Sequence, residues 1–123
     1  GSIDHPLSKK VRKATAIAKE RSPDLLIDGE MQVAAARDPD FRRDYFPFSD
    51  LEKNANVLIF PDLQSANLAM QSLQYMGEAK PIGPLIMGTR MPAHLIPFGA
   101  TVEEVVNLTA IAVVEAAALR KSG

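Results

Sequence analysis

Two polar side chains that can orient a ligand, Asp62 and Asn67, follow directly after an apolar run of the sequence. That run, residues 56–60, is apolar after Asn56 and includes the β-branched Val57 and Ile59, which is typical of a strand buried on both faces. Ligands of α/β sheets bind beyond the carboxyl ends of such strands, where a carboxylate and an amide can hold them. On these residues alone we favour a simpler interpretation, in which Asp62 caps the next helix and Asn67 bonds locally.

A second polar group, Glu103, Glu104 and Asn107, stands at the start of the last predicted helix. A carboxylate beside a ligand can act as a general base, and Asn107 lies one turn further on, where it can face the same loop. More often such carboxylates complement the positive end of the helix dipole. Thr101 and Glu104 also have the spacing of a capping box, in which each residue accepts a hydrogen bond from the other's backbone N–H.

The loop before this helix, Pro97-Phe98-Gly99-Ala100, is called the 97–100 loop below. It contains no side chain that can act as a nucleophile, acid or base. Further upstream, Gly83 and Pro84 can bring the backbone close to a ligand, although a bend in an extended segment explains them equally well. The 97–100 loop therefore cannot carry catalysis by itself.

Several kinds of site are absent from the sequence. There is no cysteine, and the two histidines, His5 and His94, are far apart, so we predict neither thiolate chemistry nor a zinc site. His94 lies in an apolar segment, where a packed histidine is the usual interpretation. No glycine-rich phosphate-binding motif occurs. The cations between residues 9 and 13 form a basic helix face that can contact phosphates but is more simply a solvated face.

Charge and composition limit the partners of this 123-residue chain. Its 14 Lys and Arg residues are balanced by 15 Asp and Glu residues, and the formal net charge is -1. Nucleic acid and anionic membranes therefore exert no general electrostatic attraction on it. The first residues lack the basic end and apolar stretch of a signal peptide, and no run reaches the roughly 18 apolar residues of a membrane span. We predict a cytoplasmic chain that binds neither nucleic acid nor membrane.

The spacing of apolar residues predicts the elements of the first half of the chain. It indicates a helix over residues 6–20 that begins at Pro6, and then a short buried strand at residues 24–28. A short helix is expected after Gly29 and is broken by Asp38-Pro39. Residues 41–48 show no clean period, so we expect an irregular covering segment there.

The second half of the chain gives clearer signals. Strands are predicted at residues 56–60, 82–87 and 94–97, and a helix at residues 63–76 before Gly77. The last helix, residues 102–119, carries so many apolar side chains that we expect much of its circumference to be buried. Alternating strands and helices indicate an α/β fold with a parallel sheet.

Six blocks of the sequence carry a wider resemblance. They read DLLIDGEM at 24–31, NVLIFPDL at 56–63, SAN at 65–67, IGPLIMG at 82–88, PAH at 92–94 and EVVN at 104–107. In order and spacing they resemble the C-terminal section of the phosphate acetyl/butyryltransferases over nearly the whole chain. The resemblance implies an α/β, three-layer αβα fold with a mostly parallel sheet, the C-terminal part of an isocitrate/isopropylmalate dehydrogenase-like fold. Residues 1–123 would form the C-terminal portion of one such domain.

The resemblance also assigns roles to the 97–100 loop. In active family members the aligned stretch reads Ser-Arg-Gly-Cys or similar, and an Asp stands at the position of Glu104. The resemblance implies that the Ser and Asp serve the coenzyme A thiol, while the Arg holds phosphate. Here Pro97 replaces the Ser, Phe98 replaces the Arg, and Tyr75 replaces a nearby basic residue. Neither Pro nor Phe can donate a side-chain hydrogen bond or neutralise a phosphoryl group.

These replacements, with PAH at 92–94, FPF at 46–48 and the helix at 107–116, resemble the C-terminal domain of large NADP-dependent malic enzymes. The resemblance implies a regulatory module that binds acetyl-CoA or a related acyl-CoA and forms homo-oligomers, without transferase activity. NADP and a divalent metal would belong to the absent malic enzyme domain, which decarboxylates malate to pyruvate, and this chain would need no cofactor. The implied acyl-CoA-binding residues are Asp62, Asn67, Tyr75, Gly83, Pro84, Pro97, Phe98, Gly99, Glu104 and Asn107.

Two alternatives stay open at this point. One is an active phosphate acyltransferase of unusual sequence, which makes acyl-CoA from acyl phosphate. The other is a purely structural assembly domain, because apolar surface in excess of one core usually becomes an interface.

Overall fold

The computed structural model describes residues 4–122, and its five helices contain 53% of these residues. Residues 1–3, where the absence of a signal peptide was judged, and residue 123 lie outside that description. The chain divides into two compact units, Gly1–Met70 and Gln71–Gly123. Among the described helices, none has both the length and the apolar composition that crossing a bilayer requires.

The first unit contains α1 (Pro6–Arg21), α2 (Val33–Arg37), α3 (Pro39–Tyr45) and the start of α4 (Leu63–Met76). The prediction of α1 is confirmed to within one residue. Its first turn accommodates Pro6, whose missing N–H costs nothing there, and the N–H of Leu7 donates to His5 Nδ1 at 3.2 Å. The short helix expected after Gly29 is present as α2.

Helix α3 corrects the expectation of an irregular segment at residues 41–48. Asp38-Pro39, which we interpreted as a break, begins a new helix. The Asp38 carboxylate accepts hydrogen bonds from the N–H groups of Asp40 and Phe41, both at 3.0 Å, while Pro39 occupies the first turn. The ring of Phe41 lies 4.8 Å from that of Tyr45, so aromatic contacts along α3 support it.

The second unit contains the rest of α4 and α5 (Val102–Ser122). Both helices are confirmed, although α5 continues three residues past its predicted end at residue 119. One face of α5 packs inward at Leu108, while Val102, Val106 and Val113 on the opposite face are exposed. The expectation that much of its circumference is buried is therefore wrong within this unit, since neighbouring segments cover one side of the helix.

The predicted three-layer αβα fold with a parallel sheet is wrong for the part of the chain that the structure describes. The segments assigned as strands, residues 24–28, 56–60, 82–87 and 94–97, have irregular backbone, and no described backbone hydrogen bonds join them. Apolar, β-branched composition reports how well a segment suits a sheet, but a strand exists only where a neighbouring segment supplies its hydrogen-bond partners. The exposed side chains of Val57 and Ile59 have no such neighbour here.

Candidate functional site

The 97–100 loop forms a turn that leads into α5. It is closed by the N–H of Ala100, which donates to the carbonyl of Pro97 at 3.2 Å. Gly99 has φ 80°, a left-handed conformation that favours glycine. Phe98 is fully exposed. The loop therefore presents an aromatic ring to solvent and offers no polar side chain to a ligand.

The capping box at the start of α5 is confirmed. Glu104 Oε2 accepts hydrogen bonds from the backbone N–H of Thr101 at 2.6 Å and from its hydroxyl at 2.9 Å, and the N–H of Glu104 donates to Thr101 Oγ1 at 3.2 Å. The N–H of Thr101, and then its hydroxyl, lower the pKa of Glu104 below its ordinary value. At neutral pH this carboxylate is charged and engaged by donors, which makes it a weak base.

Asn107, Tyr75, Gly83 and Pro84 are the other predicted site residues of the second unit. Asn107 is half-buried one turn after Glu104, and Tyr75 is exposed near the end of α4. Gly83 has φ 153° and is joined to Pro84 by a cis peptide bond. No described hydrogen bond links Tyr75, Gly83 or Pro84 to the 97–100 loop, and their part in an acyl-CoA site stays a prediction.

A cation that the sequence interpretation missed stands beside the start of α5. Lys80 Nζ lies 3.3 Å from Glu103 Oε1, and both side chains are exposed. Nothing in the local sequence signals this contact, because 23 positions separate the two residues. Lys80 supplies a positive charge next to the helix that follows the 97–100 loop.

Asp62 and Asn67 belong to the first unit, at the start of α4. The Asp62 carboxylate accepts hydrogen bonds from the N–H of Ser65 at 2.8 Å and from its hydroxyl at 3.0 Å. These donors lower the pKa of Asp62, the N–H of Ser65 most of all. The capping interpretation of Asp62 is confirmed, whereas Asn67 lies exposed on the next turn.

His94 is a packed residue of the second unit. Its side chain is 4% exposed, and its Nε2 lies 3.0 Å from Glu115 Oε2 on α5. The N–H of Ile86 donates to His94 Nδ1 at 3.4 Å, so the neutral ring carries its proton on Nε2 and donates to Glu115. His94 therefore joins two irregular segments to α5.

Asp28, in the Asp-Gly-Glu block, organises the first unit. Its carboxylate accepts hydrogen bonds from the Ser49 hydroxyl at 2.6 Å and from the N–H groups of Gly29 at 2.8 Å and Asp50 at 3.0 Å. Lys19, which also pairs with Asp50, lies 4.0 Å away. Burial raises the pKa of Asp28, but the donated hydrogen bonds and Lys19 outweigh burial, and the net shift is downward. These contacts give Asp28 a structural role, because each of them joins it to another residue of the first unit.

The basic face of α1 is engaged in contacts within the chain. Lys10 Nζ donates to the carbonyl of Pro61 at 2.6 Å, and Arg12 pairs with Glu30 at the same distance. Arg12 is thus balanced by a carboxylate, whereas Lys10 keeps its charge and uses a donor within the chain. Over residues 4–122, no group of three His, Cys, Asp or Glu side chains is placed to hold a metal ion.

The chain is similar in sequence to phosphate acetyltransferases and to malic enzymes. The family model described as phosphate acetyl/butaryl transferase matches residues 1–113. The chain is 40% identical over 117 residues to the NADP-dependent malic enzyme of Escherichia coli (strain K12), covering 94% of the chain and 15% of that enzyme. It is 41% identical over 116 residues to the phosphate acetyltransferase of Clostridium acetobutylicum, covering 94% of the chain and 35% of that enzyme.

A solved structure of a phosphotransacetylase is also similar to the chain. The EutD phosphotransacetylase from Staphylococcus aureus superposes with a TM-score of 0.86 at 30% identity, over 94% of the chain and 36% of that protein. Across the three relatives, the chain thus spans between 15% and 36% of the relative's length.

Proposed function

The chain belongs to the phosphate acetyl/butaryl transferase family, and from this premise we propose that it is the C-terminal portion of a phosphate-acetyltransferase-like domain that binds acyl-CoA without transferring the acyl group. In this proposal it regulates and helps to assemble a cytoplasmic NADP-dependent malic enzyme. The NADP, the divalent metal and the decarboxylation of malate belong to another part of that enzyme.

The observation that carries the proposal is the chemistry of the 97–100 loop and the helix start behind it. Acyl transfer from acyl phosphate to a thiol needs a base for the thiol and a cation for the phosphoryl oxygens. Pro97 and Phe98 supply neither. The nearby carboxylate, Glu104, is held by two donors of Thr101 that lower its pKa, so it is a poor proton acceptor.

The same surface suits the binding of a thioester. The fully exposed ring of Phe98 offers apolar contact to an acyl group or to the pantetheine arm of coenzyme A. Lys80 is exposed, and its weak surface ion pair with Glu103 can be exchanged for one with the phosphates of the nucleotide end. Apolar contact at the loop and one cation nearby are features of a binding surface that has no catalytic group.

Replacing Phe98 by alanine is expected to weaken acetyl-CoA binding by about tenfold, because a lost aromatic contact of this size corresponds to about 1.4 kcal/mol. Calorimetric titration of the full-length protein measures the change. The matched control is Phe48→Ala, which removes another exposed phenylalanine, and it should leave the affinity within about twofold. No heat from the wild-type protein at millimolar acetyl-CoA would overturn the acyl-CoA proposal.

An active phosphate acyltransferase is the second candidate, and it is favoured by the 41% identity to a phosphate acetyltransferase. In this reaction the thiol of coenzyme A displaces phosphate from acetyl phosphate to give acetyl-CoA. Acetyl-CoA formation by the full-length protein that is lost in Glu104→Gln would establish this candidate in place of the first. If the wild-type protein and Glu104→Gln both formed acetyl-CoA only at the uncatalysed rate, the acyltransferase candidate would be excluded.

Assembly is the second part of the proposal, and the exposed face of α5 supports it. Val102, Val106 and Val113 lie within about 40° of one another around the helix, opposite the buried Leu108. Two copies of α5 packed antiparallel, with Val102 of one copy opposite Val113 of the other, would bury both valine stripes.

A dimer or larger homo-oligomer is therefore expected in multi-angle light scattering of the full-length protein. Val106→Glu should shift the population toward monomer, because it places a charge within the stripe. The exposed Val57, which is in the first unit, gives the matched control Val57→Glu. A monomeric wild-type protein at high concentration would contradict assembly through α5.

A further inference from the structure

Arg42, on α3, is a charged side chain that is largely buried, while the guanidinium nitrogens other than Nη1 keep some contact with solvent. It is 5% exposed, and no other charged residue in the described part of the chain is buried. Its Nη1 donates to the carbonyl of Ala35 at 2.8 Å, and among residues 4–122 no carboxylate oxygen lies within ion-pair distance of it. Buried cations are ordinarily paired, because one hydrogen bond to a neutral carbonyl does not replace the hydration that a guanidinium loses. The charge of Arg42 therefore lacks a counter-ion.

Arg42 lines an open surface cavity of about 320 Å³ in the first unit. Apolar lining comes from Phe46, Pro47 and Leu51, and the polar lining includes Arg43 and Glu52. This volume lies at the lower end of the range of small-molecule sites, which are mostly apolar with a few polar groups that fix orientation. The cavity thus combines an apolar wall with an unneutralised cation.

Arg43 shows by contrast why the cation of interest is Arg42. Arg43 also lines the cavity, but its guanidinium is paired with Asp40 at 2.7 Å and with Asp44 at 3.2 Å, and its side chain is 68% exposed. Its charge is therefore balanced and hydrated. Glu52 lies in the lining without pairing with Arg42, so it adds a negative charge that an incoming anion must tolerate.

We propose that this cavity binds a small anionic ligand, whose carboxylate or phosphate accepts hydrogen bonds from the Arg42 guanidinium while its apolar part contacts Phe46 and Leu51. A guanidinium forms paired hydrogen bonds to either kind of anion, so the shared chemistry is that of a planar donor facing an oxyanion. The proposal concerns the first unit and does not depend on acyl-CoA binding by the 97–100 loop.

The test uses ligand-observed NMR on the full-length protein at constant ionic strength, with two probes. Saturation transfer to butyrate reports a carboxylate with an apolar tail, and broadening of the ³¹P signal reports inorganic phosphate. We expect saturable binding of at least one probe, and the probe that binds more tightly identifies the anion. Arg42→Met should weaken this binding at least tenfold, whereas the matched control Arg21→Met, at an exposed arginine outside the lining, should change it by less than about twofold.

Glu52→Gln provides a test that does not depend on how Arg42→Met folds. Removal of the negative charge from the lining should tighten binding of the anion about two- to fivefold. The proposal is overturned if neither probe binds saturably, if Arg21→Met weakens binding as much as Arg42→Met, or if Glu52→Gln leaves the affinity unchanged.

Discussion

Replacing Asp28 by asparagine is expected to lower the free energy of unfolding by about 2–3 kcal/mol at neutral pH. The carboxylate accepts hydrogen bonds from the Ser49 hydroxyl and from two backbone N–H groups, and it faces Lys19. An asparagine amide has one acceptor oxygen, and its NH₂ group would face donors. Hydrogen bonds to a charged group are the stronger kind, which is why this one change is costly.

The same substitution should change how stability depends on pH. The pKa of Asp28 is lowered in the folded protein, so its contribution is present above the unfolded pKa of about 3.9 and is lost as the pH falls through the folded pKa. The difference in unfolding free energy between wild type and Asp28→Asn should therefore shrink as the pH is lowered from about 5 toward 3. Urea unfolding of the full-length protein across this range measures it.

Asp24→Asn is the matched control for this experiment, since Asp24 is exposed and begins the block at residues 24–31 that also contains Asp28. We expect its effect to stay within about 0.5 kcal/mol at every pH. If Asp28→Asn and Asp24→Asn were equally stable at pH 7, the organising role assigned to Asp28 would be wrong.

Replacing His94 by alanine is the second change with a large expected effect, a loss of about 2–3 kcal/mol of unfolding free energy. The side chain is 4% exposed, so its removal leaves the N–H of Ile86 without its acceptor and the carboxylate of Glu115 without its donor. Thermal or urea unfolding of the full-length protein measures the loss.

Two conservative variants separate the partners of His94. His94→Asn keeps an acceptor near the position of Nδ1 for Ile86, and His94→Gln keeps a donor near the position of Nε2 for Glu115. Each should recover about half of the lost free energy. Glu115→Gln should cost less than His94→Ala, because its amide oxygen still accepts from Nε2–H. A larger cost for Glu115→Gln would show that charge, rather than the hydrogen bond, holds this contact.

The helices were largely predictable because their signals are local. Pro6 at the first turn of α1, the Thr101–Glu104 capping box and the turn before Gly77 all lie within a few residues of the boundary they set. Asp38-Pro39 shows the limit of this reasoning, because one pair of residues can end a helix or begin the next. The pattern alone did not distinguish these outcomes.

The strands and several site contacts were not predictable, since both depend on partners distant in sequence. Residues 56–60 have the composition of a strand, but pairing is a property of two segments. The contact between His94 and Glu115 spans 21 positions, and that between Lys80 and Glu103 spans 23. By contrast, the chemical inertness of the 97–100 loop follows from residue types alone, and so it was visible in the sequence.

The small apolar interior has a thermodynamic consequence. Among the described residues, the buried apolar side chains are Ala35, Ala36 and Leu108. The heat-capacity change of unfolding scales with the apolar area that unfolding exposes, at about 12–15 cal/mol/K per residue for an ordinary domain. A chain that hides so little apolar area should fall well below this value. Its stability curve should therefore be flatter with temperature than that of an ordinary domain, and association that buries the valine stripe of α5 would add to the curvature.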